Sequence, residues 1–78
     1  MADKNNFDEE MDLKGVPCPA NSARVLLKLE IMDEGEVLRV LIDDGEAYAN
    51  VPPSVIEEGY EILSEKRCGE GWELQIKA

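Results

Sequence analysis

Between Glu36 and Asp43 the chain reads Val37-Leu38-Arg39-Val40-Leu41-Ile42, a run that is apolar throughout except for Arg39. Such a run is expected of an interior strand with at least one covered face. In a chain of 78 residues it dictates what surrounds it, because this length supports one small core and excludes two domains. Upstream, Phe7, Met11 and Leu13 share one parity while Glu10 and Asp12 take the other, which predicts a first strand ending near Leu13. Ala23, Leu26, Leu27 and Ile31 recur at helical spacing, which predicts an amphipathic helix over 21–32 with those four on its apolar side. Asp33-Glu34-Gly35 stops it, the glycine suiting a C-terminal cap.

Downstream of Asp43-Asp44-Gly45, residues 46–50 read as a short helical turn that Pro52-Pro53 interrupts. A brief helix over 54–58 follows, closed by Gly59. Residues 60–67 and 72–77 read as two strands joined at Gly69-Glu70-Gly71. The second alternates, with Trp72, Leu74 and Ile76 inward and Glu73, Gln75 and Lys77 outward. The order is βαβαββ, an α/β arrangement. Residues 1–6 are polar and read as a flexible tail, leaving 7–78 as one domain.

Chemistry concentrates at Gly15-Val16-Pro17-Cys18-Pro19, between the first strand and the first helix. Pro19 stands where a first-turn proline is tolerated, since its missing N–H has no intrahelical partner in any case. Cys18 falls at or next to the N-cap, where unpaired N–H groups and the positive end of the helix dipole favour thiolate over thiol. Two readings stand side by side: a nucleophilic cysteine, or a small semi-buried residue in a strand-to-helix turn. A βα unit feeding a parallel strand is right-handed, and ligands in such open sheets bind beyond the carboxyl ends of the strands. Asp43 and Asp44 follow the second strand and reach that same edge, where they oppose ionisation of the thiol.

Charge and composition narrow the function classes. With 18 acidic residues against 8 basic ones the net charge is −10, and the basic residues are scattered. Direct nucleic-acid binding and attachment to an anionic membrane are therefore not expected. A protein with a basic face would be steered toward this one. Two cysteines fifty residues apart make no disulfide framework, and no apolar stretch is long enough for a signal peptide or a membrane span, so a cytoplasmic, reducing location is expected. The absence of histidine removes Cys–His catalysis and most transition-metal sites; neither metal nor cofactor is expected.

Gly15-Val16-Pro17-Cys18-Pro19, an apolar helix, Gly35-Glu36-Val37-Leu38-Arg39-Val40, Asp43-Asp44, then Asn50-Val51-Pro52 and two closing strands together resemble the TusA/SirA/YedF-like family of small sulfur carriers. The similarity covers residues 8–78. It implies a two-layer α/β sandwich with two helices on one face of a mixed four-stranded sheet of order 1-2-4-3. It also implies that Cys18 accepts sulfane sulfur as a persulfide and relays it to an acceptor thiol. Its partners would be sulfur-donor and sulfur-acceptor proteins. Pro17, Pro19, Ala20, Asn21, Asp43 and Asp44 would support the thiol, the Ala20 and Asn21 N–H groups stabilising the sulfur anion and Val16, Pro17 and Pro19 forming an apolar collar.

Two positions depart from the family pattern. Pro19-Ala20-Asn21 lacks the second proline of Pro-x-Pro, so Asn21 restores a donor and is expected to loosen the turn; Gly45 stands where the pattern has a further proline after Asp43-Asp44. With the implied strand order, strands one and three lie about 14 Å apart. That excludes a Cys18–Cys68 bridge, which needs Cα atoms within about 7 Å. Cys68 is read as a residue of the strand end, Trp72 as the main aromatic of the inward row, and Arg24 and Lys28 as a solvated helix stripe or a docking site. A monomer is expected. The competing functions are a non-catalytic binding or regulatory module that keeps the fold, and a thiol redox protein.

Overall fold

The computed structural model describes residues 7–17 and 19–78; the expected tail over 1–6 and Cys18 lie outside the described residues. Six elements follow in order: β1 (Glu9–Asp12), α1 (Ala20–Ile31), β2 (Val37–Asp43), α2 (Glu46–Glu57), β3 (Glu61–Cys68) and β4 (Gly71–Lys77). They form one sheet of order β1-β2-β4-β3, in which β1 runs parallel to β2 and the other pairs are antiparallel. This is the expected βαβαββ sandwich.

The apolar run is the interior strand β2. Leu38, Val40 and Ile42 are fully buried, and their β4 partners Ile76, Leu74 and Trp72 continue the same face under the helices. Arg39 points the other way. On the helix-free face its guanidinium donates to Glu73 Oε2 at 2.7 Å and pairs with Glu10, so the charge interrupting the run is matched from both neighbouring strands. The Glu73 hydrogen bond pushes Arg39 further up and holds Glu73 below the usual carboxylate range. Phe7 lies outside β1, and its ring centroid sits 5.6 Å from the Arg39 guanidinium carbon. β1 therefore starts two residues later than the parity of Phe7 predicts.

Helix α1 turns inward a stripe that shares with the expected one only Leu26, half-buried against the core. Val25 and Leu29 are buried, with Asn21 and Ser22 at the start of the helix, whereas Leu27 and Ile31 are 63% and 76% exposed and Ala23 is exposed as well. Two rows at helical spacing share this helix, and periodicity alone cannot choose between them. The choice falls to packing: α1 rests on α2 as well as on the sheet, and the row of Val25 and Leu29 faces that double contact. The cap also differs from expectation. Met32 is the C-cap, while Gly35 lies in the following turn and donates to the Ala78 carbonyl at 2.9 Å.

Pro52 and Pro53 do not interrupt α2, which is continuous from Glu46 to Glu57. Each proline removes one intrahelical bond, at a cost of about 3 kcal/mol or more. Burial of Val51, Pro52 and Val55 beneath the helix, at about 1.5–3 kcal/mol per large aliphatic side chain, offsets this. Gly59 closes the helix as expected. With φ +95° it allows Tyr60 N–H to reach the Val55 carbonyl at 3.2 Å and its own N–H to reach Ile56 at 3.0 Å, a Schellman closure.

Candidate functional site

The parallel pairing of β1 and β2 continues one residue past β1, where Leu13 N–H donates to the Leu41 carbonyl at 2.8 Å and the Leu13 side chain enters the core. The chain then turns sharply. Val16 N–H returns to the Leu13 carbonyl at 3.0 Å, and Gly15 takes φ +85° at the third position, a conformation that L side chains rarely adopt. Asp43, the last residue of β2, fastens this turn: its Oδ2 accepts the Gly15 N–H at 2.7 Å. Sequence order thus places Asp43 near the thiol loop, and the hydrogen bond gives it a specific task, holding the loop that leads into Pro17.

Pro19 is the N-cap of α1, so Ala20 is the first helical residue. Three amides of the first turn are already committed. Asn21 N–H donates to the Pro17 carbonyl at 3.1 Å, Ser22 N–H to Asn21 Oδ1 at 2.6 Å, and Ala23 N–H to the Pro19 carbonyl at 3.1 Å. The donor that Asn21 has in place of a second proline is therefore not free for an anion. It ties residue 17 to residue 21, and the buried Asn21 side chain completes the turn instead of loosening it. Of the two amides expected to face the sulfur, only that of Ala20 has no partner among the described residues. Cys18 itself lies outside the described residues.

A cavity of about 220 Å³ opens beside this loop. Gly15, Val16, Pro17 and Asn21 form one side; Asp43, Asp44, Glu46 and Ala47 form the other. The N-termini of α1 and α2 both reach this end of the sheet, so their positive dipole ends meet the three carboxylates. Asp44 is held below the usual carboxylate range, first by the Trp72 indole N–H at 3.0 Å, then by the Gly45 amide and by Arg67 at 3.1 Å. Its negative charge at this edge is partly matched by Arg67, which also lies over the Trp72 ring. Trp72 in turn stacks on Tyr48, with centroids 4.1 Å apart. The Tyr48 hydroxyl donates to Glu65 at 2.6 Å, and that bond pushes its pKa up.

Trp72 is thus both the aromatic of the inward row and a support for Asp44. Tyr48, Arg67 and Glu46 escaped the sequence reading altogether. The signal for Trp72 and Arg67 was available in the strand order, because antiparallel pairing sets the first residues of β4 beside the last of β2 and carries Arg67 of β3 with them. Cys68 is half-buried at the end of β3, paired with Gly71, and β3 is at the far margin of the sheet from β1. Among the described residues there is no group of three or more His, Cys, Asp or Glu side chains arranged to hold a metal. No helix among them is long and apolar enough to cross a membrane.

Comparison with known proteins agrees with this geometry. The family model described as Sulfurtransferase TusA matches residues 9–78. A protein of Archaeoglobus fulgidus named as a candidate sulfur carrier is 45% identical over 71 residues, covering 90% of this chain and 81% of its own. Sulfur carrier protein TusA of Allochromatium vinosum is 31% identical, covering 99% of this chain and 97% of its own. The crystal structure of a SirA-like protein from Desulfitobacterium hafniense superposes with a TM-score of 0.76 at 25% identity, covering 91% of this chain and 97% of that one. The loop between β1 and α1, the sheet order and these relatives converge on one conclusion: the chain belongs to the TusA family of sulfur carriers.

Proposed function

We propose that the protein carries sulfane sulfur as a persulfide on Cys18, between a donor protein and the thiol of an acceptor protein. Cys18 thiolate attacks the outer sulfur of the donor persulfide. A Cys18 sulfur–sulfur bond forms, the donor sulfur–sulfur bond breaks, and the donor leaves as a thiolate. The acceptor thiolate then attacks the outer sulfur on Cys18, which departs as thiolate in its turn. The sulfane sulfur changes hands with no net oxidation, so neither step requires a cofactor, and a chain without histidine needs no general base while part of the thiol is ionised.

The observation that carries this reading is the turn at Gly15, fastened by Asp43, ahead of the first turn of α1, in a chain that belongs to the TusA family. The positive end of α1 and the Ala20 amide favour an anion on the loop; Asp43 and Asp44 oppose it, Asp44 less so because Arg67 pairs with it. Pro17 and Pro19 flank Cys18 in the sequence, Asp43 fastens the turn at Gly15 before them, and the Asn21 N–H ties the first turn of α1 to the Pro17 carbonyl. The carrier works as a monomer in the cytoplasm. Incubation with a cysteine desulfurase and cysteine, followed by intact-mass spectrometry, tests it. A gain of one sulfur atom that disappears in Cys18→Ser is expected. A chain that stays unmodified while it binds partner proteins would instead be a module that keeps the fold without the chemistry.

A further inference from the structure

The outward stripe of α1 is the least explained surface of the molecule. Leu27 and Ile31, one turn apart, are 63% and 76% exposed, and with Met11 of β1 they floor a groove of about 320 Å³ at the margin of the sheet. Arg24 and Lys28 complete its lining, which contains no carboxylate. In a chain of net charge −10 that is a marked local inversion. Lys28 is held 3.3 Å from Glu9 at the β1 side, while Arg24 forms no ion pair among the described residues. The groove is thus apolar in its floor and cationic at its rim, a surface matched by aliphatic side chains flanked by carboxylates.

We infer that this groove docks the sulfur-donating protein through an acidic, aliphatic surface segment, an inference that rests on the carrier reading above. Position and charge select that occupant. Along the axis of α1, Arg24 and Ile31 lie roughly 6 and 16 Å from Ala20, so a protein seated here covers the thiol loop within one ordinary interface. Sulfur arrives on an anionic persulfide, and the cavity at the loop presents Asp43, Asp44 and Glu46 to it. Attraction for the donor has to come from elsewhere on the surface, and the groove combines desolvation of apolar area with cations. A second copy of this chain is opposed by the repulsion of two −10 bodies, and an anionic bilayer by the same charge.

The test measures binding apart from chemistry. The Cys18→Ser chain, labelled with fluorescein maleimide on Cys68 at the opposite margin of the sheet, is titrated with a cysteine desulfurase at low salt while anisotropy is read. Saturable binding is expected, weakened at least about tenfold by Leu27→Gln with Ile31→Gln, weakened likewise by Arg24→Glu, and weakened by added salt. Groove variants with unchanged circular dichroism that bind as the parent does would overturn the inference, as would an absence of binding. So would loss of a dimer in the Leu27→Gln, Ile31→Gln chain by sedimentation, which would assign the groove to a second copy. Sulfur loading of the chain that retains Cys18, run in parallel, reports on the carrier reading alone: binding without loading removes that reading and leaves the docking surface standing.

Discussion

At the scale of single residues, the site is organised by carboxylates that accept hydrogen bonds from the loops around them. Asp43 accepts from Gly15, and Asp44 from Trp72 and Arg67, so the Asp43-Asp44 pair links the thiol loop to the far side of the sheet. The pH behaviour of Asp44 follows from its partners. Its carboxyl ionises below the ordinary 3.8 in the folded chain, so its contribution to stability is complete above that value and is lost as pH falls through the depressed one. Trp72→Phe removes the largest cause. In that variant the Asp44 carboxyl should titrate closer to 3.8, as followed by carbon-13 NMR of the side-chain carboxyl. A titration unchanged from the parent would mean that Arg67 and the Gly45 amide hold the charge by themselves.

At the scale of elements, α1 shows how two apolar rows can compete for one helix. The row of Val25 and Leu29 lies in the core, and the row of Leu27 and Ile31 faces outward. Leu29→Ala should therefore lower stability by about 2–5 kcal/mol, and Leu27→Ala by about 0.5 kcal/mol or less. Urea denaturation of the two variants checks this, and equal losses would contradict the inward stripe. The sequence made the existence of this helix legible, because either row alone has helical spacing. It did not reveal the rotation of the helix about its axis, which depends on contact with α2. In α2 the local signal was stronger and misleading. Two adjacent prolines argue against a helix, but the energy that sustains it lies in the burial of Val51 and Val55, which no window along the chain can register.

At the scale of the whole molecule, the net charge of −10 sets the background against which every local cation acts. Raising salt from about 0.01 to about 0.15 M shortens the screening length from about 30 to about 8 Å. Self-repulsion should then weaken, and the melting temperature should rise by a few degrees, where about 1 kcal/mol corresponds to about 4–8 °C for a domain of this size. A fall measured by calorimetry would mean that ion pairs such as Arg39–Glu73 outweigh the repulsion. The sequence by itself determined the element order, the interior strand, the alternation of β4 and the convergence of Asp43, Asp44 and the thiol loop at one edge. These follow from periodicity, turn residues and connectivity, all of which are local or topological. Only the tertiary structure decided which face of α1 is inward, that α2 continues through Pro52-Pro53, that the Asn21 amide is spent on Pro17, and that Trp72 and Arg67 reach Asp44. Each of those outcomes turns on contacts between segments distant in the chain or on competition for a hydrogen-bond donor, and such energies exist only once the two layers have come together.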